Sequence, residues 1–95
     1  MAVREQGTEK DHKEKLSVLI AYNGMNESFD YKPQQAAESI RVQALNRYDI
    51  RGPERDQNFL FGPDNQTELQ GDVAMGNQVE PGSQLYLRPR TAGGG

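Results

Sequence analysis

Alternating apolar and polar residues predict a β-hairpin near the beginning of the chain. Leu16, Val18 and Ile20 are apolar and would lie on the same face of an extended strand. Asn23 and Gly24 follow, and this pair is typical of a two-residue turn because both residues tolerate a positive φ. Phe29 and Tyr31 then alternate with polar residues. We therefore predict two antiparallel strands with one buried face.

The apolar spacing changes to that of a helix between Gln34 and about Tyr48. Pro33 comes just before this segment and fits the first turn of a helix, where its missing N–H is not needed. Gly52 and Pro53 end the helix at the latest. Val42 lies off the helical stripe. The apolar residues on the stripe are expected in the core: Ala37, Ile40, Ala44, Leu45 and Tyr48.

A third strand is predicted at residues 59–61, where three apolar residues precede the turn sequence Gly-Pro-Asp-Asn. The two aromatic residues, Phe59 and Phe61, are expected to face the core, which turns Leu60 outward. Thr67–Leu69 predicts at most a very short edge strand. The next stretch is loop-like, with Val73 and Met75 as its apolar anchors.

The last strand is predicted at residues 83–89, after a turn at Glu80-Pro81-Gly82. Alternation directs Leu85 and Leu87 inward, and Tyr86 and Arg88 outward. Because one helix stripe and several one-faced strands bury each other best in two layers, the expected fold class is α+β. The expected architecture is a mixed four- to five-stranded sheet packed on one helix, with the last strand beside the first at the sheet centre.

Composition and charge divide the chain into three segments. Residues 1–15 alternate in charge sign and are expected to form a disordered N-terminal arm, residues 16–89 the folded domain, and residues 90–95 a flexible glycine tail. With 34% hydrophobic residues, the chain has material for one modest core.

The same composition excludes several classes of function. A net charge of −3 argues against nucleic acid as the main partner, and no apolar run is long enough to span a membrane. The chain has no cysteine, which excludes disulfides and a thiolate nucleophile and fits a cytoplasmic protein. His12 has no second ligand at useful spacing, so we predict no metal site. No catalytic residue is predicted, and the protein is not expected to be an enzyme.

From Leu16 onward the chain resembles the β-grasp, ubiquitin-like protein family. The resemblance depends on the order of several short motifs: the Asn-Gly hairpin, the proline before the helix, NFLFG, and EPGSQLYLRPR followed by T-A-G-G-G. Among ubiquitin-like proteins it looks most like those of bacterial operons that also encode activating, conjugating and deconjugating enzymes. The resemblance implies a β-grasp fold and a protein that is carried by enzymes.

The known activity of ubiquitin-like proteins implies a role for the glycine run. The resemblance implies that a terminal glycine carboxylate is adenylated by an activating enzyme, passed to a conjugating-enzyme cysteine and attached to target amines. The reacting residue is Gly95 if the chain is mature and Gly94 if one residue is trimmed, with Gly93 before them. The protein itself then needs no cofactor, because the activating enzyme uses the ATP and Mg²⁺. Its partners would be these two enzymes, a deconjugating protease and target proteins, and it is expected to be a monomer when free.

Several side chains are candidates for recognition by those partners. Arg90 matches the basic residue that the family uses before its glycines to choose the activating enzyme, and Arg88 is its neighbour on the strand. Thr91 and Ala92 stand where the family commonly has Leu and Arg. Leu60 and Tyr86 are expected to form an exposed partner surface, since both are predicted to point away from the core.

All four lysines lie in the first third of the chain, so any self-conjugation is expected there. They are Lys10, Lys13, Lys15 and Lys32. The first three belong to the predicted arm, where an amine is free to reach a tethered thioester. The alternative is that these lysines only keep the arm soluble.

Two other classes of function remain open from sequence. One is a sulfur carrier that acts through a C-terminal thiocarboxylate, whose chemistry begins with the same adenylate. The charged arm slightly favours protein modification over this alternative. The other is a non-covalent interaction domain with the ubiquitin-like fold, against which the glycine tail argues. The GGG ending can also be an inert linker.

Overall fold

The computed structural model describes residues 16–90, which form one sheet packed on one helix. The strands are β1 (Leu16–Tyr22), β2 (Met25–Tyr31), β3 (Phe59–Phe61) and β4 (Gln84–Arg88). The helix α1 spans Ala37–Arg47, and short 3-10 helices lie at Gly52–Asp56 and Met75–Asn77. The sheet order is β2-β1-β4-β3, with β1 and β4 parallel and the other neighbours antiparallel. The predicted α+β architecture, with the last strand beside the first, is confirmed.

The hairpin forms as its sequence predicts. Asn23 and Gly24 have φ values of 50° and 86°, which is the left-handed pair that a tight hairpin turn requires. Four predicted inward residues of the two strands are buried in the core, and Leu16 is partly buried against it: the four are Val18, Ile20, Phe29 and Tyr31.

Helix α1 starts three residues later than the sequence predicts, at Ala37 instead of Gln34. The carbonyl groups of Pro33 and Gln35 accept hydrogen bonds from the backbone N–H groups of Gly76 and Met75, at 2.8 and 2.7 Å. These carbonyls therefore bind the 3-10 helix instead of forming a first helical turn, and Pro33 lies outside α1.

The C-terminal end of α1 is tied to the hairpin by a side chain. Tyr48 follows the last helical residue, and its hydroxyl donates to the carbonyl of Ile20 at 2.6 Å while accepting the N–H of Glu27 at 3.0 Å. Burial raises the pKa of Tyr48. Asp49 takes φ 58°, and the N–H of Ile50 returns to the carbonyl of Leu45, which closes the helix with a left-handed cap.

The predicted orientation of the third strand is wrong. Leu60 is only 3% exposed and belongs to the core, whereas Phe59 and Phe61 lie on the outer face of the sheet. The reason is the register with β4: Leu60 pairs directly with Leu87, and directly opposite residues share a face. Three consecutive apolar residues carry no phase of their own, so the pairing decides which of them point inward.

The segment after β3 forms less β-structure than a strand. Only an isolated bridge joins Glu68 to Phe61, although the N–H of Leu69 also donates to the carbonyl of Leu60. The predicted edge strand at Thr67–Leu69 is therefore reduced to one bridge that covers the β3 edge. Of the two predicted loop anchors, Met75 is fully buried and Val73 is half-buried.

Substitution of Leu60 tests its placement in the core. We expect Leu60→Ala to lower the free energy of unfolding by about 2–5 kcal/mol, since it leaves a cavity between sheet and helix. Leu19→Ala is the matched control, because Leu19 is 37% exposed on the outer face. Chemical denaturation measures both changes. A Leu60 variant as stable as the Leu19 variant would contradict the register.

Candidate functional site

Guanidinium groups lie over aromatic rings where β4 ends. The guanidinium carbon of Arg88 is 3.9 Å from the centroid of the Phe61 ring, and that of Arg90 is 4.0 Å from the Phe59 ring. Both arginines follow the outward alternation of β4, and both rings lie on the outward face of β3. Such contacts are favourable because the face of an aromatic ring carries partial negative charge, which attracts the guanidinium cation. The Arg88 guanidinium covers Phe61, which is only 4% exposed although it does not belong to the main core cluster.

Arg88 is hydrogen-bonded to the turn that follows β3. Its Nε donates to the side-chain oxygen of Asn65 and its Nη2 to the carbonyl of the same residue, each at 2.7 Å. Its Nη1 donates to the carbonyl of Pro89 at 2.8 Å. Asn65 has φ 57°, a conformation that asparagine tolerates better than most residues and that places both of its oxygens toward the strand.

Asp64 fixes the shape of this turn. One carboxylate oxygen accepts the backbone N–H groups of Gln66 and Thr67, both at 2.9 Å, and the other accepts the Thr67 hydroxyl at 2.7 Å. These hydrogen bonds, with the Thr67 N–H first among them, lower the pKa of Asp64 to about 2. The turn that holds Arg88 is therefore organised by an ionised carboxylate.

Arg90 is held by a carboxylate as well as by a ring. Its Nε and Nη2 donate to the two carboxylate oxygens of Glu68 at 2.8 and 3.0 Å. This two-point geometry matches the planar guanidinium to the carboxylate. The hydrogen bond to Glu68 raises the pKa of Arg90 above its ordinary value. The Arg90 side chain is still 63% exposed, so the group remains at the surface.

A third arginine supports Phe59 from the helix. Arg41 lies 5.1 Å from the Phe59 ring centroid and pairs with Glu38 at 2.7 Å. Its Nε donates to the carbonyl of Asn58 at 2.7 Å, and its Nη2 donates to the carbonyl of Arg55. The start of β3 is therefore bound to α1 by polar contacts as well as by the core.

The rest of the outer face mixes apolar and polar groups. Leu19 is exposed there, and Tyr86 is half-buried beside Phe61. Asn26 and Gln84 form a reciprocal amide pair across β1, at 2.9 and 3.0 Å. This face therefore offers isolated apolar groups between amides and guanidiniums instead of one continuous apolar patch.

The predicted site residues differ in where the structure places them. It brings Arg88, Arg90 and Tyr86 to one face of the sheet, but Leu60 is buried and cannot form the exposed surface predicted for it. Lys32 is exposed just after β2. The glycines and the other three predicted acceptors lie outside the described residues: Gly93, Gly94, Gly95, Lys10, Lys13 and Lys15.

Four residues of this site are absent from the sequence-based prediction of its members: Phe59, Phe61, Asn65 and Glu68. The Gly-Pro-Asp-Asn turn was recognisable, and the left-handed tendency of Asn65 was its signal. Nothing in the sequence pairs Glu68 with Arg90, because the two are 22 residues apart and meet only through the strand pairing.

Two negative findings apply to the described part of the chain. Within residues 16–90, no group of three or more His, Cys, Asp or Glu side chains is placed to hold a metal ion. The helices of the same range are too short or too polar to cross a membrane.

No protein-family model and no curated protein matches the sequence. Solved structures do match the fold. A de novo designed protein based on ubiquitin superposes with a TM-score of 0.67 and 21% identity, over 86% of this chain and 96% of that chain. The ubiquitin of Caldiarchaeum subterraneum gives a TM-score of 0.65 and 16% identity, over 83% of this chain and 98% of that chain.

A further match has a different context. A chain from the complex of ATBAG1 with HSP70 gives a TM-score of 0.65 and 15% identity, over 81% of this chain but only 41% of that chain. At these identities the similarity concerns the fold. The chain therefore has the β-grasp fold of ubiquitin and ubiquitin-like proteins, as its sequence predicts.

The turn that holds Arg88 should respond to acid in a defined range. The folded pKa of Asp64 lies below the ordinary value, so its stabilising effect is complete above about pH 4. This effect is lost as the pH falls through about 2. We expect the amide signals of Gln66 and Thr67 to shift in this range in an NMR titration. Asp64→Asn should abolish that shift, and a titration midpoint near 4 would contradict the turn geometry.

Proposed function

We propose that the protein is a ubiquitin-like modifier whose glycine run carries the reacting carboxylate. The observation that supports this proposal is the anchoring of the strand end: Arg88 binds Asn65 in the turn after β3 and stacks on the Phe61 ring, just before Pro89. A glycine segment that follows such an anchored strand begins at a fixed point of the surface. For an enzyme that docks on the domain, the start of the segment therefore lies at a defined position, which reduces the entropy cost of capturing the segment.

The proposed chemistry belongs to the partner enzymes. The glycine carboxylate attacks the α-phosphate of ATP and pyrophosphate leaves, which gives an acyl-adenylate. A cysteine thiolate of the enzyme then displaces AMP, and a target amine displaces the thiolate to form an amide. Each step requires the carbonyl to come within about 3–3.5 Å of the attacking atom in a narrow channel. Glycine suits this requirement because it has no side chain to clash.

Two surface features are proposed to select the partners. Arg90 is an exposed cation at the base of the glycine run, where it can steer an acidic enzyme surface. Tyr86 and Leu19 lie on the outer face of the sheet and offer apolar contacts between polar neighbours. Such a mixed face differs from a continuous apolar patch and would suit dedicated enzymes, such as those encoded together with the modifier in bacterial operons.

Two alternatives share parts of this arrangement. A sulfur carrier would use the same adenylate but receive sulfide in place of a cysteine thiolate, leaving a terminal thiocarboxylate. A non-covalent interaction domain is favoured by the match to a chain of the ATBAG1–HSP70 complex, in which the shared fold covers 41% of a longer chain.

One experiment distinguishes the three functions. The purified protein is incubated with ATP and lysate of its own organism, and the products are analysed by mass spectrometry. Glycyl adducts on lysines identify a modifier, and a terminal thiocarboxylate identifies a sulfur carrier. A protein that stays unmodified while it captures partners without ATP would contradict the proposal.

Deletion of the glycines separates reaction from stability. Removal of Gly94 and Gly95 is expected to leave the thermal midpoint unchanged, since the core of residues 16–90 does not include them. The same deletion should abolish ATP–pyrophosphate exchange with the cognate activating enzyme. Deleting residues 1–2 provides a control of equal length at the other terminus, for which exchange should persist. Continued exchange by the glycine deletion would refute the carrier role.

The position of the lysines predicts where chains would form. If the protein is conjugated to itself, tryptic peptides should carry the adduct at Lys10, Lys13 or Lys15 ahead of Lys32, because Lys32 is fixed close to the sheet. Deleting residues 1–15 should then reduce chain formation but leave attachment to other proteins intact. Chains linked through Lys32 on the shortened protein would contradict this prediction and leave the modifier function standing.

A further inference from the structure

Arg90 is held by groups from two different segments, and this arrangement has consequences for its availability. Glu68 occupies two adjacent N–H groups of the guanidinium, and the Phe59 ring lies against its face. Phe59 belongs to β3 and Glu68 to the segment that covers the β3 edge. We call these three residues the Arg90 latch.

The strength of the latch is limited by its exposure. Exposed ion pairs and exposed cation–π contacts each shift an equilibrium by about two- to fivefold. Together they favour the closed latch without making its opening rare. Glu68 is 31% exposed, less than Arg90, and its backbone is bridged to Phe61, so the carboxylate is the better-anchored member of the pair.

Opening of the latch would not disturb the strand before it. Arg88 is bound separately by Asn65 and stacks on a different ring, that of Phe61. Pro89 lies between the two arginines, and its ring restricts the backbone there. Release of Arg90 would therefore leave β4 in the sheet.

We propose that Glu68 competes with partner proteins for Arg90, so that a partner which binds Arg90 through a carboxylate must first displace Glu68. The role of this competition rests on the proposed function, in which Arg90 guides the activating enzyme. The latch then selects against proteins that offer only a weak acidic contact. Glu68 acts through Arg90 and is a specificity-determining residue.

Trypsin provides a direct probe of the latch, because its specificity pocket binds arginine through an aspartate. Cleavage after Arg90 requires the guanidinium to leave Glu68 and enter that pocket, and it releases the pentapeptide Thr-Ala-Gly-Gly-Gly. The preceding arginine is followed by Pro89, which protects that bond. The initial rate of pentapeptide release, measured by mass spectrometry, therefore reports the availability of Arg90.

The proposal predicts faster release when either side of the latch is removed. Glu68→Gln and Phe59→Leu should each increase the initial rate about two- to fivefold. Glu80→Gln removes the same charge from an exposed position elsewhere and should leave the rate unchanged. Cleavage after Arg47, within α1, reports global unfolding and must not increase. If either latch variant releases the pentapeptide at the wild-type rate, the proposal is overturned.

The enzymatic consequence is tested separately. In ATP–pyrophosphate exchange, Glu68→Gln should lower the KM for the protein substrate without changing kcat, and this effect should disappear in the Arg90→Ala background. A raised KM would overturn the competition and make Glu68 a residue that presents Arg90. If the wild-type protein supports no exchange, the proposed function fails, while the trypsin experiment still decides whether the latch exists.

Discussion

The position of β4 between β1 and β3 is the constraint on which the rest of the structure depends. Parallel pairing with β1 sets Leu85 and Leu87 into the core, and antiparallel pairing with β3 then sets Leu60 inward beside Leu87. A shift of one residue would exchange the two faces of β3. The same pairing directs the strand's arginines outward, so the fold and the site follow from one register.

On the outer face of β3 and β4, aromatic rings lie beneath guanidinium groups and support them. Phe59 and Phe61 would be large apolar groups on an open sheet face, but guanidiniums cover their rings. Each guanidinium is held in turn by a polar group of the segment after β3, Asn65 or Glu68. The face therefore presents charge and hydrogen-bonding groups that apolar contacts keep in place, which suits reversible recognition better than permanent burial.

The segment between β3 and β4 links the core to this face. Met75 fills the core, and the carbonyls of Gly71 and Val73 accept the first N–H groups of α1, at 2.9 and 3.0 Å. The same segment carries the turn and the carboxylate that bind the end of β4. The start of α1 has no side-chain cap, so its first N–H groups need these carbonyls as acceptors. Movement of the segment would therefore break hydrogen bonds at the start of α1.

The sequence by itself determined the hairpin, the helix stripe and the alternation of the last strand, because periodicity and turn chemistry are local. The central place of the last strand was predicted from the packing of one helix on a sheet. Part of the candidate site was also predictable: alternation along the last strand turns Arg88 and Tyr86 outward, and the resemblance to ubiquitin-like proteins singles out Arg90. Only the tertiary structure decided the phase of β3 and the partners of the arginines. Phe-Leu-Phe is apolar at every position, so the pairing of Leu60 with Leu87 had to fix its faces. Glu68 meets Arg90 because strand pairing brings together residues that are distant along the chain, which no local pattern encodes.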